Sequence, residues 1–253
     1  MRDLITLLRR LLRNTMRSPF LFFSLLQPFL WLFLFGNLFS EVSRLPAFGG
    51  HSYLGFLAPG VVIMSSSISS SYSGVATLTD LDRGILERIF VTPASLVAVG
   101  LAPILQTAFI TSVPALVILA ASWLVGAGAQ GGVLGIAGVL CAAFFVGLTF
   151  SGISNALALV TRQVPAVLGV MNLLSLPLTF TSTMLMSRSA MPSWMQTVAM
   201  VNPIDWAVST SRAAYNGGPY GPDFWLRAGL LTAMAMLTPA LAVLALRRYK
   251  RSL

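Results

Sequence analysis

Charged residues are scarce in this chain. Only 9% of its 253 residues are charged, whereas a soluble domain carries roughly a quarter. The uncharged stretches are correspondingly long, and they include residues 45–79, 89–161, 163–187 and 228–246. Since about 20 apolar residues cross the ~30 Å hydrocarbon layer as a helix, this scarcity excludes a soluble globular protein and indicates several membrane spans.

Cysteine, histidine and lysine each occur once, as Cys141, His51 and Lys250. A single cysteine excludes an internal disulfide, and a single histidine without ligand partners gives no basis for a metal site. The phosphate-binding pattern Gly-x-x-x-x-Gly-Lys-Ser/Thr is absent, which excludes a nucleotidase of that type. We therefore predict no catalytic residue, metal or cofactor in this chain.

The apolar stretches predict an all-α polytopic membrane protein with six transmembrane helices in one domain, residues 1–253. A small, turn-forming segment, GAGAQGG at 126–132, divides the longest stretch into two spans. The predicted spans are at about 20–40, 53–77, 95–124, 133–160, 165–187 and 227–246. No Asp, Glu, Lys or Arg lies in the middle of a span, which argues against an ion-coupled secondary carrier.

The net charge of +9 is explained by membrane orientation rather than by a nucleic-acid partner. One group of basic residues flanks the spans closely and comprises Arg2, Arg9, Arg10, Arg13, Arg17, Arg83, Arg88, Arg162, Arg247, Arg248, Lys250 and Arg251. Fewer lie on the other side: Arg44, Arg188, Arg212 and Arg227. The positive-inside rule therefore predicts a cytoplasmic-membrane protein with both termini and the 78–92 loop in the cytoplasm.

Residues 2–17 predict a two-faced helix. Leucines, an isoleucine and Met16 fall on one side at helical spacing, and arginines with other polar residues fall on the opposite side. Such a helix lies in the membrane interface and contacts anionic lipid. It is either a generic basic anchor or an elbow helix that braces the spans, and Ser18-Pro19 ends it.

The second span contains the stretch MSSSISSSYSG at 64–74, with seven serines. Serines inside a span allow close helix packing and hydrogen bonds between helices. They also suit a polar passage, so both interpretations stay open from the sequence.

The outer segment before the last span predicts two short helices within 192–216. Pro192 begins the first, and Asn202 caps the second, with Pro203 in the first position and Asp205 in the first turn. Gly217-Gly218 stops it. Because this segment is rich in aromatic residues and poor in charge, we predict a re-entrant hairpin in the outer leaflet.

Charges concentrate in the stretch TLTDLDRGILERIFVTPASL at 77–96. Apolar residues interleave with them at helical spacing, and Thr92-Pro93 ends the pattern. We predict a short amphipathic helix at 79–91, with Asp80 and Asp82 at its start, where the helix dipole favours acids. Such a surface suits docking to a soluble partner.

Three stretches together resemble the permeases of ATP-binding-cassette exporters of the second type. DRGILERIFVTPAS (82–95) is similar to the segment after the second span of that family. YLGFLAPGVVIM (53–64) resembles its entry to span two, and NPIDWAVSTSRAAYNGG (202–218) resembles its outer Asn-Pro segment. The resemblance rests on the order in which these stretches occur, and it covers almost the whole chain.

The resemblance implies that 79–91 is a coupling helix, which sits in a cleft of a separate ATP-binding subunit. The residues expected at that contact are Asp82, Arg83, Ile85, Leu86, Glu87, Arg88 and Ile89. Two ATPase copies, which bind ATP and Mg, and a second permease copy or sister permease are implied as partners, with ATP hydrolysis outside this chain.

The resemblance also implies a cargo path between two permease copies, lined by spans two and five. The residues predicted along it are Ser66, Ser70, Ser73, Asn172, Thr179 and Thr183. The apolar interior suits a hydrophobic or amphipathic cargo such as a drug, antibiotic or lipid. Export of a polysaccharide or glycolipid is the alternative within the family, and a secondary carrier or a membrane assembly scaffold is the alternative outside it.

Overall fold

The computed structural model describes residues 2–16, 20–38, 53–91, 95–124 and 128–251, and within these ranges it contains helices and no strands. The helices are α1 Arg2–Met16, α2 Phe20–Leu38, α3 Tyr53–Ser71, α4 Ser73–Asp82, α5 Ile85–Phe90, α6 Leu96–Leu124, α7 Gly132–Thr161, α8 Val164–Phe180, α9 Ser193–Met200, α10 Pro203–Tyr215 and α11 Pro222–Arg251. A short 3₁₀ helix spans Arg188–Ala190. The all-helical prediction is confirmed for these ranges, whereas the predicted turn at Ser18-Pro19, His51 and the end of span one at 39–40 lie outside the described residues.

Among the described residues, four helical segments are long and apolar enough to cross a membrane: Tyr53–Asp82, Leu96–Leu124, Gly132–Thr161 and Pro222–Arg251. At 1.5 Å per residue each is roughly 45 Å long, more than the ~30 Å hydrocarbon layer. Helix α2 has 19 residues and α8 has 17, and both are apolar. They coincide with the first and fifth predicted spans, but they are not among the four segments above. A count of six spans therefore stays a prediction.

Helix α7 lies at the centre of the bundle and packs against α3, α4, α6, α8, α10 and α11. Glycines on α7 let the neighbouring backbones come close. A Cβ at Gly147 would lie 2.9 Å from the Cα of Ala108 on α6, and one at Gly152 would lie 2.7 Å from the carbonyl carbon of Thr238 on α11. Small residues at helix crossings are the usual means of tight packing in membranes.

The surface of the bundle is apolar and several buried side chains are polar. Leu134, Leu173 and Met236 are 83%, 76% and 71% exposed, whereas Ser67, Ser151 and Asp205 are 0% exposed. This inverted distribution fits a protein whose surroundings are lipid, because exposed leucine costs nothing there and exposed serine would lose its hydrogen bonds.

The two ends of the bundle gather different parts of the chain. At one end, the Phe90 ring lies 6.3 Å from the ring of Tyr249, and the guanidinium of Arg162 lies 4.7 Å from that same ring. At the other end, the amide of Gly131 donates to the Tyr215 carbonyl at 2.9 Å. The turn between α6 and α7 therefore meets the end of α10, as expected if α9 and α10 lie on the side opposite α5.

Candidate coupling surface and polar helix interfaces

The charged stretch at 79–91 is two helical pieces. Helix α4 continues to Asp82, Gly84 adopts the left-handed conformation with φ 64°, and α5 runs from Ile85 to Phe90. The prediction of one continuous helix is wrong here, because a glycine at positive φ ends a helix without strain.

The two aspartates therefore occupy the opposite end of a helix from the predicted one. Asp80 and Asp82 lie in the last turn of α4, where the helix dipole disfavours acids. In α5 the arrangement is favourable, with Glu87 in the first turn and Arg88 in the last.

Leu86 fixes α5 to the ends of the long helices. It is 7% exposed and belongs to a buried cluster with Val99 of α6, Leu159 of α7 and Leu246 of α11. Leu86 is predicted to contact an ATPase subunit, whereas in the structure its side chain packs against the protein's own core, so the contact stays a prediction. Ile85 and Ile89 are half-buried.

The charged members of the predicted contact set face outward. Asp82, Arg83, Glu87 and Arg88 are all exposed. The result is a small charged surface on a backbone that Leu86 holds in place. We call these four side chains the coupling surface.

The serine-rich second span is interrupted for one residue at its centre. Helix α3 ends at Ser71 and α4 begins at Ser73, with Tyr72 between them. Tyr72 is 43% exposed, and its hydroxyl donates to Oδ1 of Asn172 on α8 at 3.4 Å. Asn172 is thus the member of the predicted path that lies exposed.

The other predicted path residues are buried within this single chain. Ser66, Ser70, Thr179 and Thr183 are 1%, 0%, 4% and 5% exposed. The Ser70 and Thr179 hydroxyls donate to carbonyls one turn earlier in their own helices. Because these four side chains are buried inside the chain, the packing interpretation fits them better. Periodicity cannot tell apart the two faces of a serine-rich apolar helix, so the sequence does not show this.

A chain of hydroxyl groups joins α3 and α4 to α6, α7 and α8. Ser71 Oγ lies 2.8 Å from Ser175 Oγ, and the Ser154 hydroxyl donates to the Ser71 carbonyl at 2.6 Å. The Gly74 amide donates back to Ser154 Oγ at 2.9 Å. A Cβ at Gly74 would lie 2.3 Å from the Ser154 carbonyl oxygen, so only glycine fits at this crossing.

Ser73 and Asn155 extend this chain toward α6. Ser73 Oγ lies 2.9 Å from Oγ1 of Thr107 and accepts from Nδ2 of Asn155 at 2.9 Å. The Thr77 hydroxyl donates to Oδ1 of the same asparagine. These hydrogen bonds hold the interrupted span on α6, α7 and α8.

Helices α9 and α10 occupy the predicted hairpin. Asn202 caps α10 by accepting from the Ile204 amide at 2.9 Å, with Pro203 in the first position. Its Nδ2 donates to the Leu178 carbonyl at 2.6 Å, which ties the hairpin to α8. The cap and the helix bounds follow the prediction, whereas the depth of the hairpin in a membrane stays a prediction.

A buried ion pair at this end was not predicted. Asp205 is 0% exposed and pairs with Arg227 of α11 at 3.0 Å. The same carboxylate accepts from the amide and the hydroxyl of Thr183, at 2.8 and 2.6 Å. Asp205 had been assigned to the helix dipole and Arg227 to the outer loop, and nothing in the spacing indicates that they meet.

Arg212 of α10 completes this network. Its guanidinium lies 3.6 Å from the centre of the Phe56 ring and donates to the carbonyls of Phe56 and Thr183. Burial lowers the pKa of Arg212 to about 10, so the side chain keeps its charge at neutral pH. The network joins α3, α10, α11 and the segment after α8.

A bundle of long apolar helices with inward polar groups and a charged coupling surface at one end defines a multi-span membrane protein. The model of the ABC-2 type transporter family matches residues 2–216. The chain belongs to that family. The resemblance found in the sequence is confirmed by this match.

Named relatives agree with this assignment. The chain is 29% identical over 225 residues to the daunorubicin resistance ABC transporter permease protein DrrB1 of Streptomyces coeruleorubidus, which covers 87% of this chain and 75% of that protein. It is 29% identical over 223 residues to the putative transport permease ycf38 of Cyanophora paradoxa, covering 85% and 74%. It is 24% identical over 163 residues to the probable doxorubicin resistance ABC transporter permease protein DrrC of Mycobacterium tuberculosis, covering 64% and 59%.

Proposed function

We propose that this chain is the permease subunit of an ATP-driven exporter that moves a hydrophobic or amphipathic small molecule outward across the cytoplasmic membrane. The exposed coupling surface, anchored through Leu86 to α6, α7 and α11, is the observation that carries the proposal. A force applied to α5 would reach three long helices directly through that contact. The cargo class follows from relatives named for daunorubicin and doxorubicin resistance.

The proposed topology has six spans with both termini in the cytoplasm. It is supported by the gathering of α5, Arg162 and the end of α11 at one end of the bundle. That end also carries the basic residues of α11, namely Arg248, Lys250 and Arg251, as the positive-inside rule requires of a cytoplasmic side. In this topology α1 is the elbow helix, and it packs along α6.

The proposed partners are two ATPase subunits, which bind ATP and Mg, and a second permease copy or a sister permease. Asp82, Arg83, Glu87 and Arg88 would contact the ATPase, and Ile85 and Ile89 would add apolar contact at the margin. Leu86 would position α5 by packing against the long helices.

Reconstitution with an ATPase subunit tests this function. Inside-out membrane vesicles containing both subunits should accumulate a fluorescent anthracycline when ATP and Mg are added, and vesicles with the permease alone should not. Accumulation driven by a proton or sodium gradient without ATP would instead identify a secondary carrier. Failure of the chain to retain any ATPase subunit would favour a scaffold.

We further propose that the cargo passes between two permease copies along the face that carries Tyr72 and Asn172. Helix α8 exposes Leu173 and Phe180, 76% and 55% exposed, beside these polar groups. Ser73, also in the predicted path, is 8% exposed, and its hydroxyl faces Thr107 and Asn155 inside the bundle rather than this face. A polar tyrosine–asparagine pair on an otherwise apolar face is tolerated where it meets another helix or water rather than lipid.

Cross-linking between copies tests this arrangement. In a Cys141→Ser background, Leu173→Cys should form a disulfide or bis-maleimide link between two permeases, because the α8 faces would meet. Met236→Cys on α11 is the matched control, since it is 71% exposed and would face lipid. Cross-linking at position 236 without any at 173 would place the copies against α11 and refute the proposed path.

A further inference from the structure

A cavity of about 930 Å³ opens at the end of the bundle that carries α5. It lies between α1, α4, α5, α6, α7 and α11. Of the coupling surface only Arg83 lines it, and Tyr72 and Asn172 of the proposed path do not. Its volume falls within the range of about 300–1,000 Å³ typical of small-molecule sites. The cavity is therefore a candidate binding site for a ligand other than the cargo.

The lining charges are unbalanced. Arg9, Arg10 and Arg13 of α1 and Arg83 line the cavity together with a single acid, Asp80. Among the carboxylates whose side chains the structure describes, none makes an ion pair with these arginines. The cavity thus holds an excess of positive charge, which attracts an anion and repels a cationic amphiphile.

Part of the lining is apolar. Leu7, Leu11, Val99, Leu159 and Leu246 form it. A ligand that fills the cavity must therefore pair an anionic group with an apolar body, because a free anion would leave this apolar part uncovered.

A second cavity lies beside the first. Ala76, Pro103 and Gln106 line both cavities, and the second, of about 430 Å³, lies between α2, α3 and α6. Trp31 and Ile68 are among the apolar residues of that second cavity, and Tyr72 and Ser73 also line it. An elongated apolar chain can run from the basic mouth through this junction.

We propose that the two cavities together bind one acidic phospholipid of the cytoplasmic leaflet. Its phosphate lies among the arginines of α1 and Arg83, and an acyl chain enters the second cavity past Ala76. The leaflet rests on the topology proposed above, whereas the ligand chemistry rests on the lining alone. Since Ile85, Leu86 and Ile89 also line the first cavity, the bound lipid supports α5 from behind and stabilises the coupling surface.

Lipid binding to the purified permease in detergent tests the proposal without an ATPase subunit. A fluorescent phosphatidylglycerol should bind more tightly than the matching phosphatidylcholine. The triple variant Arg9→Gln, Arg10→Gln, Arg13→Gln should lose this preference, by about fivefold in affinity per arginine at low salt. Arg247→Gln, Arg248→Gln, Arg251→Gln removes the same charge from exposed positions of α11 and should keep the preference.

Two further variants separate the proposal from general damage. Asp80→Asn removes the acid of the cavity and should tighten phosphatidylglycerol binding, a gain that misfolding cannot produce. Ala76→Trp fills the junction at an exposed position and should weaken binding of a long-chain lipid more than that of a six-carbon-chain analogue.

Three results would overturn the proposal. Equal loss of binding in the two triple variants would mean that the arginines act only through net charge. Weaker binding in Asp80→Asn would contradict the electrostatic argument. Full competition by glycerol phosphate would show a site for a free phosphate rather than for a lipid.

Discussion

Replacing Glu87 by arginine should abolish ATP-driven export while leaving the permease folded. The coupling surface carries two acids and two arginines, so this one change turns a neutral patch into one with two excess positive charges. A partner cleft shaped for Glu87 then meets a like charge, which opposes docking strongly. We expect the affinity for the ATPase subunit to fall by at least about tenfold, since paired charges at interfaces commonly contribute that much or more.

Co-purification and ATP hydrolysis by the complex measure this effect. Glu87→Arg should release the ATPase subunit or leave its activity unresponsive to cargo, and Glu87→Ala should give a milder loss. Asp223→Arg is the matched control, because Asp223 is also an exposed acid in the first turn of a helix, at the opposite end of the bundle. Normal export by Glu87→Arg, or equal loss in Asp223→Arg, would remove the coupling role from this surface.

Much of the architecture could be predicted because membrane spans obey length and charge rules. The break at GAGAQGG appears as the end of α6 at Leu124 and the start of α7 at Gly132. Asn202 and Pro203 start α10 as expected, because a cap depends on its immediate neighbours. These features are local, so they can be inferred from short stretches of sequence.

Features that depend on which helix faces which could not be predicted. The apolar spans carry no polar face, so nothing in the sequence distinguished Ser70, which is buried, from Asn172, which is exposed. The break at Gly84 was missed because the interleaved apolar residues continue through it. Leu86 was assigned to a partner for the same reason, since an amphipathic segment does not show whether its apolar side covers its own protein or another.

The two ends of the bundle differ in how they are held. At the α5 end, an apolar cluster around Leu86 borders a large cavity. At the hairpin end, Asp205, Arg227, Thr183 and Arg212 form a buried network with hydrogen bonds on every side. The polar network therefore adds to the apolar packing of Ile204 and Val208 in holding α10 in the bundle.

Removal of either partner of the Asp205–Arg227 pair should destabilise the permease severely. Asp205→Ala leaves the Thr183 amide without its acceptor and Arg227 with the Ser209 hydroxyl in place of a carboxylate, and Arg227→Ala leaves a fully buried carboxylate without its ion pair. Breaking a buried pair in this way costs about 3–5 kcal/mol. Both variants should show a lower thermal midpoint in detergent and a lower yield of folded protein.

A double variant separates the pair from the general cost of mutation. Asp205→Ala combined with Arg227→Met removes both charges, so its loss should be smaller than the sum of the two single losses. Asp205→Asn keeps the shape and the acceptor for Thr183, and it should fall between the wild type and Asp205→Ala. The matched control is Asp223→Ala, an exposed acid of α11, which should change little. Strictly additive losses in the double variant, with Asp223→Ala as damaging as Asp205→Ala, would show that the ion pair does not hold α10 on α11.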